Sequence, residues 1–255
     1  MKIDELLSKI EDTARASGLS KPFIVGGAPR DRVLGKRSGE SEIKDIDLTT
    51  GDGDSLKLAQ VVARALPNSR YMRYDDGHSS VDILGVHLDF SSNFIAPGVE
   101  EEMKRLGVKE VDSMKLELYS RDFTMNTLLE SLDFKSIYDL TGEGIGDIQA
   151  GLIRCPINPE ISIGNDPRRI LRAIKFAVKY GFRLEDNLKN SMMNHRKKIQ
   201  QLPLKFVQDK MNEIVRIDTD NGLEMLIEYK LLPLVPLTKT ISNILIQKRQ
   251  LLRAL

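Results

Sequence analysis

The stretch Phe23-Ile24-Val25-Gly26-Gly27-Ala28-Pro29-Arg30-Asp31, followed by Asp45-Ile46-Asp47-Leu48-Thr49, decides the predicted fold. The apolar run 23–25 predicts a short buried strand, the glycine pair ends it, and residues 28–35 predict a short helix. Residues 45–49 alternate polar and apolar side chains, which is the period of a half-buried strand. A strand, a glycine turn, a helix and a second strand therefore open an α/β arrangement.

Asp45 and Asp47 are candidate metal ligands on the second of these strands. Residues two apart on a strand face the same side, with their Cα atoms roughly 6–7 Å apart. Two neighbouring carboxylates repel each other unless a cation lies between them, and Mg²⁺ prefers hard oxygen ligands. The pattern predicts a magnesium site, with a solvated strand end as the alternative.

The segment Val86-His87-Leu88-Asp89-Phe90 predicts a further half-buried strand with Asp89 on its polar face. If this strand lies beside residues 45–49, Asp89 completes a three-carboxylate cluster, and an exposed strand aspartate is the alternative. Such a cluster would hold two metal ions that activate an attacking hydroxyl and stabilise a leaving pyrophosphate. His87 shares the polar face and is predicted to be a surface histidine.

The glycine pair predicts a phosphate site next to these carboxylates. Gly26 and Gly27 allow close approach of the backbone, and the helix that follows offers unpaired N–H groups to an anion. Arg30 is predicted either to bind phosphate or to pair with Asp31 or another acid. A glycine pair upstream of a two-carboxylate strand is what a metal-assisted nucleotide site needs.

Composition sets the broad class of the chain. It has 255 residues, 41% of them apolar and 29% charged, which is typical of a globular protein and argues against wholesale disorder. The single cysteine, Cys155, excludes an intrachain disulfide framework and a cysteine-rich zinc site. The N-terminal segment is studded with acids, unlike a signal peptide, and no apolar run is long enough to span a membrane, so a cytoplasmic location is expected.

The charge is unevenly distributed along the chain. The formal net charge is only +1, but residues 168–210 contain 12 Lys and Arg against three Asp and Glu, so the remainder carries a balance of −8. Such a segment predicts a positive surface for an anionic ligand, with a solvated helical face as the alternative.

Pattern along the chain predicts an α+β fold, α/β for about the first 150 residues and all-α afterwards. Residues 94–115 lack a clear period and predict a loop or a weak helix, and the pattern becomes helical from about residue 123. The other predicted elements are helices at 3–17 and 54–66, strands near 70–74 and 81–84, a polar loop at 36–44, and helix breaks at Gly181, Pro203, Gly222 and Pro233.

Asp166 and Pro167 open the basic segment. Taken as residues, they predict a capped surface helix, with Asp166 as the N-cap and Pro167 in the first position. Arg168, Arg172 and Lys175 lie on one basic stripe of that helix, whereas apolar side chains line another face.

Three ordered motifs carry a resemblance to a known family. The stretch F-I-V-G-G-A-P-R-D-R-V-L-G with D-I-D-L-T-T resembles the opening motif of the class II tRNA nucleotidyltransferases (CCA-adding enzymes) and bacterial poly(A) polymerases. Residues 121–128 (R-D-F-T-M-N-T-L) and 165–177 (N-D-P-R-R-I-L-R-A-I-K-F-A) resemble two further motifs of that family. The resemblance implies the polymerase β-like nucleotidyltransferase fold, a small mixed sheet with helices followed by an all-α neck.

The resemblance also implies roles for particular residues. Asp45 and Asp47 would hold catalytic Mg²⁺, with Asp89 as the third carboxylate. Asp122 would sense the ribose 2′-hydroxyl, and Asp166 with Arg169 would read the base edge of CTP or ATP. The remaining implied nucleotide-binding residues are Gly26, Gly27 and Arg30 at the triphosphate, Arg121 and Asn126 beside Asp122, and Arg172 near Asp166.

The chain departs from the family pattern in a few places. Asn165 stands where the family has a glutamate, Ser120 where it has an arginine, and Lys175 where it has a second arginine. Residues 1–150 are predicted to form the catalytic head and residues 151–255 the neck. The family's body and tail domains are expected to be missing or much reduced.

The implied activity is template-independent addition of CMP, AMP or both, from CTP and ATP, to the 3′-end of tRNA. A poly(A) polymerase-like enzyme acting on other RNA is one alternative, and a non-catalytic RNA- or nucleotide-binding module is another. No membrane partner is expected. The apolar C-terminal side chains Ile241, Ile244, Leu245, Leu251 and Leu252 predict either a cap on the neck or a homodimer contact.

Overall fold

The computed structural model describes residues 2–36 and 44–254, with side chains through residue 247. The predicted polar loop at 36–44 therefore lies almost wholly outside the described residues. The chain divides into two compact units. The first comprises Met1–Ala150 and Arg154–Asn158, and the second comprises Gly151–Ile153 and Pro159–Leu255.

A seven-stranded mixed sheet forms the centre of the first unit. Its strands are β1 (Phe23–Val25), β2 (Asp45–Thr49), β3 (Arg70–Arg73), β4 (Ser79–Ile83), β5 (Val86–Phe90), β6 (Leu129–Glu130) and β7 (Ile137–Tyr138), in the spatial order β3-β4-β5-β2-β1-β6-β7. Its helices are α1 (Ile3–Ala16), α2 (Gly27–Val33), α3 (Asp54–Ala65), α4 (Val99–Arg105), α5 (Ser113–Ser120) and α6 (Gly144–Gln149). Strands β2 and β5 are parallel, and the other neighbouring pairs are antiparallel.

The core of this unit lies between the sheet and helices α1 and α3. Strand β2 turns Ile46 and Leu48 into the core, where both are at most 1% exposed, because alternate side chains of a strand face opposite sides. Leu7 and Ile10 of α1 and Leu58 of α3 pack against them. Complete burial of such a side chain contributes about 1.5–3 kcal/mol to folding. The face of β2 that carries Ile46 and Leu48 is therefore held inward, and the face that carries Asp45 and Asp47 is turned outward.

The second unit is mainly helical. Its elements are β8 (Leu152–Ile153), α7 (Pro159–Asn165), α8 (Arg168–Tyr180), β9 (Arg183–Leu184), α9 (Asp186–His195), α10 (Leu204–Ile217), α11 (Thr219–Glu228) and α12 (Lys239–Ala254). Helix α8 packs against α10 and α11 through its apolar face, and β8 pairs in parallel with β9. This two-residue ladder is the one strand pairing among the described residues of the unit.

The predicted α+β fold class is confirmed, and so are strands 23–25, 45–49 and 86–90. The prediction of helix from about residue 123 is wrong. A 3-10 turn at Thr124–Asn126 is followed by β6 and β7. Strand β6 pairs with β1 on one side and with β7 on the other, so tertiary pairing decides the structure of a segment too short to show a period of its own.

Of the two alternatives predicted for residues 94–115, a loop or a weak helix, the structure has helix over α4 and the start of α5. The prediction of a helix break at Gly222 is wrong. Gly222 is not a break, because it lies within α11, where an added Cβ would be 2.9 Å from the carbonyl oxygen of Ile214. Glycine at this position therefore permits the close approach of α10 and α11. In the described part of the chain, every helix is too short or too polar to cross a lipid bilayer.

Candidate active site

Strands β2 and β5 bring the predicted carboxylates together. In their parallel register Asp47 is paired with Asp89, and Asp45 is paired with His87. Paired residues of neighbouring strands lie about 4.8 Å apart and project from the same face. Asp45 and Asp47 are exposed, and the Asp89 side chain is 39% exposed. The predicted adjacency of the two strands is confirmed, and their polar face turns away from the core.

His87 is not an isolated surface residue. Its Nδ1 lies 2.5 Å from Asp82 Oδ1, and its Nε2 lies 3.2 Å from Asp89 Oδ1. The hydrogen bond with Asp82, supported by the charges of both carboxylates, raises the pKa of His87 above its usual value. The imidazole therefore links Asp89 to strand β4 and holds the carboxylate on the exposed face of the sheet.

Asp45, Asp47 and Asp89 do not by themselves enclose a metal-binding site. Over residues 2–36 and 44–254, no three His, Cys, Asp or Glu side chains are gathered closely enough to hold a metal ion. The chemistry of the donors nevertheless suits Mg²⁺, which keeps several waters and takes only one or two protein carboxylates together with substrate phosphates.

Gly26 shapes the space around Asp47. Its φ of +78° lies in a region that side-chain-bearing residues rarely adopt, and an added Cβ would be 2.8 Å from Asp47 Oδ2. The same Cβ would be 3.8 Å from Nη1 of Arg121. The turn between β1 and α2 is therefore a cradle in which the Asp47 carboxylate lies against bare backbone, close to the Arg121 guanidinium.

Arg30 takes the second of its two predicted roles. It is 6% exposed, its Nε donates to Asp31 Oδ1 at 2.9 Å, and its Nη1 donates to Asn126 Oδ1 at 2.7 Å. Asn126 Nδ2 in turn donates to Asp122 Oδ1 at 2.9 Å. Arg30 is thus a buried strut that connects α2 to the 3-10 turn carrying Asn126, and it holds Asp122 through that amide.

A cavity of about 300 Å³ opens in front of the carboxylates. Its lining comprises Val25, Asp47, Leu48, His78, Asp89, Phe90, Ser91, Ser92 and Arg121. Arg121 is held there by Glu117, whose Oε1 accepts from Nη2 at 2.7 Å. Glu117, His78, Ser91 and Ser92 were not predicted as site residues. The i,i+4 spacing of Glu117 and Arg121 would have revealed the pair if residues 113–120 had been assigned to a helix.

The second unit contains the other predicted nucleotide residues, at the start of α8. Asp166 accepts from Arg168 rather than Arg169: Arg168 Nε is 2.7 Å from Oδ1, and Arg168 Nη2 is 3.0 Å from Oδ2. Arg169 is 6% exposed and donates from Nη1 to Ser162 Oγ at 2.6 Å, while its Nε remains 3.9 Å from Asp166 Oδ2. The predicted pair is therefore adjacent but not hydrogen-bonded.

The rest of this helix differs slightly from its predicted form. Helix α8 begins at Arg168, with Pro167 as the N-cap, although Asp166 Oδ1 still accepts from the backbone N–H of Arg168 at 3.0 Å. Arg172 is exposed and lies 5.4 Å from the ring centroid of Phe176. Lys175, which replaces the family's arginine, pairs with Glu213 of α10 at 2.5 Å.

Comparison with known structures gives the class of this fold. The structure of a tRNA nucleotidyltransferase complexed with a primer tRNA and an incoming ATP analog matches with a TM-score of 0.66 at 26% identity, over 88% of this chain and 59% of that chain. The CCA-adding enzyme of Bacillus stearothermophilus in complex with CTP matches with a TM-score of 0.70 at 22% identity, over 96% of this chain and 57% of that chain, and shows the fold alone.

The sequence comparison then gives the family. The model of the "Poly A polymerase head domain" matches residues 22–154, which is more than half of the chain. The chain belongs to the family of poly(A) polymerase head-domain proteins, and the predicted resemblance is confirmed.

The similar proteins are named both as tRNA nucleotidyltransferases and as poly(A) polymerases. A CCA-adding enzyme of Limosilactobacillus fermentum is 27% identical over 231 residues, covering 89% of this chain and 52% of the relative. An A-adding tRNA nucleotidyltransferase of Geobacter sulfurreducens is 31% identical over 68% of this chain and 19% of the relative. Poly(A) polymerase I of Escherichia coli is 29% identical over 64% of this chain and 35% of the relative. The chain thus spans about half or less of the length of these relatives.

Proposed function

We propose that the chain is a template-independent RNA nucleotidyltransferase that adds CMP, AMP or both, from CTP and ATP, to the 3′-end of tRNA. The observation that carries the proposal is the parallel register of Asp47 with Asp89 in front of the Gly26 cradle. Relatives named as CCA-adding and A-adding enzymes support the choice of substrates. The cytoplasmic location is part of the same proposal.

In the proposed reaction, the 3′-hydroxyl of the RNA attacks the α-phosphate of the nucleotide, a phosphodiester bond forms, and pyrophosphate leaves. Asp45 and Asp47 would hold Mg²⁺, with Asp89 as a third oxygen donor. When bound, the ion would lower the pKa of the attacking hydroxyl and stabilise charge on the leaving group. Because Asp45 and Asp47 are exposed on a strand that is paired on both sides, they would meet the ion without rearrangement of the sheet.

The remaining residues would select and orient the nucleotide. Asp122 would accept from the ribose 2′-hydroxyl, with its carboxylate held by the Asn126 amide at 2.9 Å. Arg121 would place a guanidinium beside the triphosphate that Gly26 and Gly27 cradle. In the second unit, Asp166 and Arg169 would offer an acceptor and a donor fork to a base edge, with Arg172 nearby. Arg30 would contribute by holding Asn126.

The proposal is tested by incubating the chain with Mg²⁺, each labelled nucleoside triphosphate and either a tRNA lacking its 3′-terminal CCA or an unrelated oligoribonucleotide. We expect incorporation on the tRNA, and sequencing of the extended ends identifies the added nucleotides. D45N and D47N should lose incorporation and retain the melting temperature, whereas D12N, at an exposed residue of α1, should retain both.

Other outcomes identify the alternatives. Efficient AMP addition to the unrelated oligoribonucleotide, with no preference for tRNA, would favour the poly(A) polymerase-like activity, for which the Escherichia coli relative is the support. No incorporation on either RNA, together with measurable binding of RNA or nucleotide, would replace the proposed enzyme with a binding module.

A homodimer through α12 is a further part of the proposal. Ile241 is 1% exposed, but Ile246 on the same helix is 55% exposed and available to a second copy. Leu251 and Leu252 lie beyond the described side chains. Sedimentation velocity of the chain and of I246E tests this part, since a dimer held by α12 should dissociate in the variant and a monomer in both would refute it.

A further inference from the structure

We infer that Glu117 is a positioning residue that sets the geometry of the candidate active site without contacting substrate. The inference rests on the proposed function and deepens it, because it concerns how the same site is held ready for a cation. Glu117 lies on α5 and is 3% exposed. It belongs to none of the motifs that predict the site.

Three side chains converge on the Glu117 carboxylate. Thr49 Oγ1 donates to Oε2 at 2.5 Å, Ser91 Oγ donates to Oε1 at 3.0 Å, and Arg121 Nη2 donates to Oε1 at 2.7 Å. A buried carboxylate is tolerated when hydrogen-bond donors and an opposite charge satisfy it. The arrangement meets that condition, which makes Glu117 a fixed point inside the first unit.

The two hydroxyls belong to β2 and to the residue that directly follows β5. Thr49 lies two residues after Asp47 on β2 and shares its face, and Ser91 follows Phe90 at the end of β5. The backbone N–H of Ser91 also donates to the carbonyl of Leu48 at 2.8 Å, which continues the pairing of β2 with β5. Glu117 therefore joins the end of β2 to the end of β5 through hydrogen bonds with Thr49 and Ser91, two residues beyond the paired Asp47 and Asp89.

The third partner, Arg121, links Glu117 to the cavity. Arg121 follows Glu117 by one helical turn and lines the same cavity as Asp47 and Asp89. A guanidinium in this position can form a forked ion pair with a carboxylate. Glu117 accepts from one edge of the guanidinium and so fixes the position of Arg121 relative to the two aspartates. That restraint keeps Arg121 near the site proposed for the triphosphate.

E117Q is the direct test, because glutamine preserves the shape of the side chain and removes its charge. The matched control is E102Q, which neutralises another buried glutamate, 5% exposed, that pairs with Arg105 within α4. Binding of Mn²⁺ to the full chain, measured by electron paramagnetic resonance without nucleotide, reports on the metal site independently of turnover. D47N verifies that the bound Mn²⁺ occupies this site.

We expect E117Q to raise the dissociation constant of Mn²⁺ about 10- to 100-fold, as loss of a residue that orients metal ligands typically does. The KM for the nucleotide should rise as well, because Arg121 is displaced. E117D, which restores the charge on a shorter side chain, should recover part of both losses. E102Q should bind Mn²⁺ within about 2-fold of the unsubstituted chain, since the charge partner of Glu102 is Arg105 on its own helix.

An unchanged Mn²⁺ dissociation constant in folded E117Q would overturn the inference, as would equal losses in E117Q and E102Q. If E117Q does not fold, S91A removes one hydroxyl donor and leaves the charge in place. S91A should also weaken Mn²⁺ binding, and an unchanged constant would overturn the inference. An unsubstituted chain that binds Mn²⁺ but incorporates no nucleotide would refute the proposed function while leaving the Mn²⁺ comparison to decide the role of Glu117.

Discussion

Gly26 is required both by its backbone conformation and by its closeness to the Asp47 side chain. Its positive φ explains why the turn needs glycine, and an added Cβ would lie 2.8 Å from Asp47 Oδ2, so even a methyl group would displace that carboxylate. Many glycines satisfy only the first requirement. Gly18, for example, has a φ of +65° with no atom within 4 Å of an added Cβ.

This contrast gives a first prediction. G26A should weaken Mn²⁺ binding by about 10-fold or more, because the added methyl group displaces Asp47, a proposed metal ligand. G18A should lose about 1–2 kcal/mol of stability from the left-handed backbone and retain full Mn²⁺ affinity. Titration of both variants, with their thermal melting curves, checks the prediction. Equal Mn²⁺ affinity in the two variants would remove Gly26 from the site.

Arg168 gives a second prediction at this scale. Its guanidinium engages both carboxylate oxygens of Asp166, the same oxygens that a base edge would need. An exposed ion pair is worth about 0.5–1 kcal/mol, so R168A should lower the KM for the preferred nucleotide about 2- to 5-fold. K179A, near the other end of α8, controls for loss of one positive charge. A higher KM in R168A would show that Arg168 assists nucleotide binding.

The functional residues differ in how well the sequence predicts them. Asp45 and Asp47 lie on a strand whose alternation is visible locally, so their common face follows from the pattern, whereas the position of Asp89 beside them depends on the parallel pairing of β2 with β5. The role of Arg30 depends on Asn126, far away in the sequence, and only the tertiary structure decides between the two predicted alternatives. Glu117 was missed because α5 has no clear apolar stripe, which leaves its helical spacing unrecognised.

At the scale of secondary structure, the turn between β6 and β7 is held by local polar contacts. Asp133 Oδ1 accepts from Ser131 Oγ at 2.6 Å and from the backbone N–H of Lys135 at 3.1 Å. These hydrogen bonds to the charged form lower the pKa of Asp133 to about 2, the Ser131 bond being the largest cause. Strands of two residues depend on such a turn, which explains why their sequence alone did not predict them.

The same turn gives a prediction about pH. Because the folded pKa of Asp133 is below the ordinary aspartate value of 3.8, its contribution to stability is complete above about pH 3.8 and is lost as the pH falls through about 2. Carboxyl NMR titration should give a midpoint near pH 2 in the unsubstituted chain and a midpoint closer to 3.8 in S131A. A midpoint unaffected by S131A would assign the lowered pKa to the contacts of Asp133 with Lys135.

At the scale of the whole molecule, the near-neutral net charge conceals a strongly basic segment. Residues 168–210 contain 12 basic and three acidic side chains, and several of the basic side chains, including Lys197 and Lys205, are exposed. Neutralisation of RNA phosphates by such side chains releases counterions, which makes the affinity depend on salt. The segment is therefore where the electrostatic part of RNA binding is expected.

Salt dependence tests this expectation. Each of K197A and K205A should reduce the magnitude of the slope of log affinity against log salt by about 0.7 if its lysine contacts a single-stranded phosphate. K104A removes an exposed lysine from α4 of the first unit and should leave the slope unchanged. Filter binding of a labelled tRNA over a range of KCl concentrations provides the slopes. If K197A and K205A both keep the slope of the unsubstituted chain, the RNA does not contact these two lysines.

The parallel pairing of β2 with β5 also sets an order of assembly during synthesis. Asp47 leaves the ribosome before its partner Asp89, and Glu117 and Arg121 emerge later still. A parallel pair needs a long crossover, here α3, β3 and β4, and contacts between distant residues form slowly because closing the loop costs entropy first. Under the proposed function, a nascent chain therefore carries the acidic residues well before it could bind a cation with them, and that capacity would arise only after residue 121 has emerged.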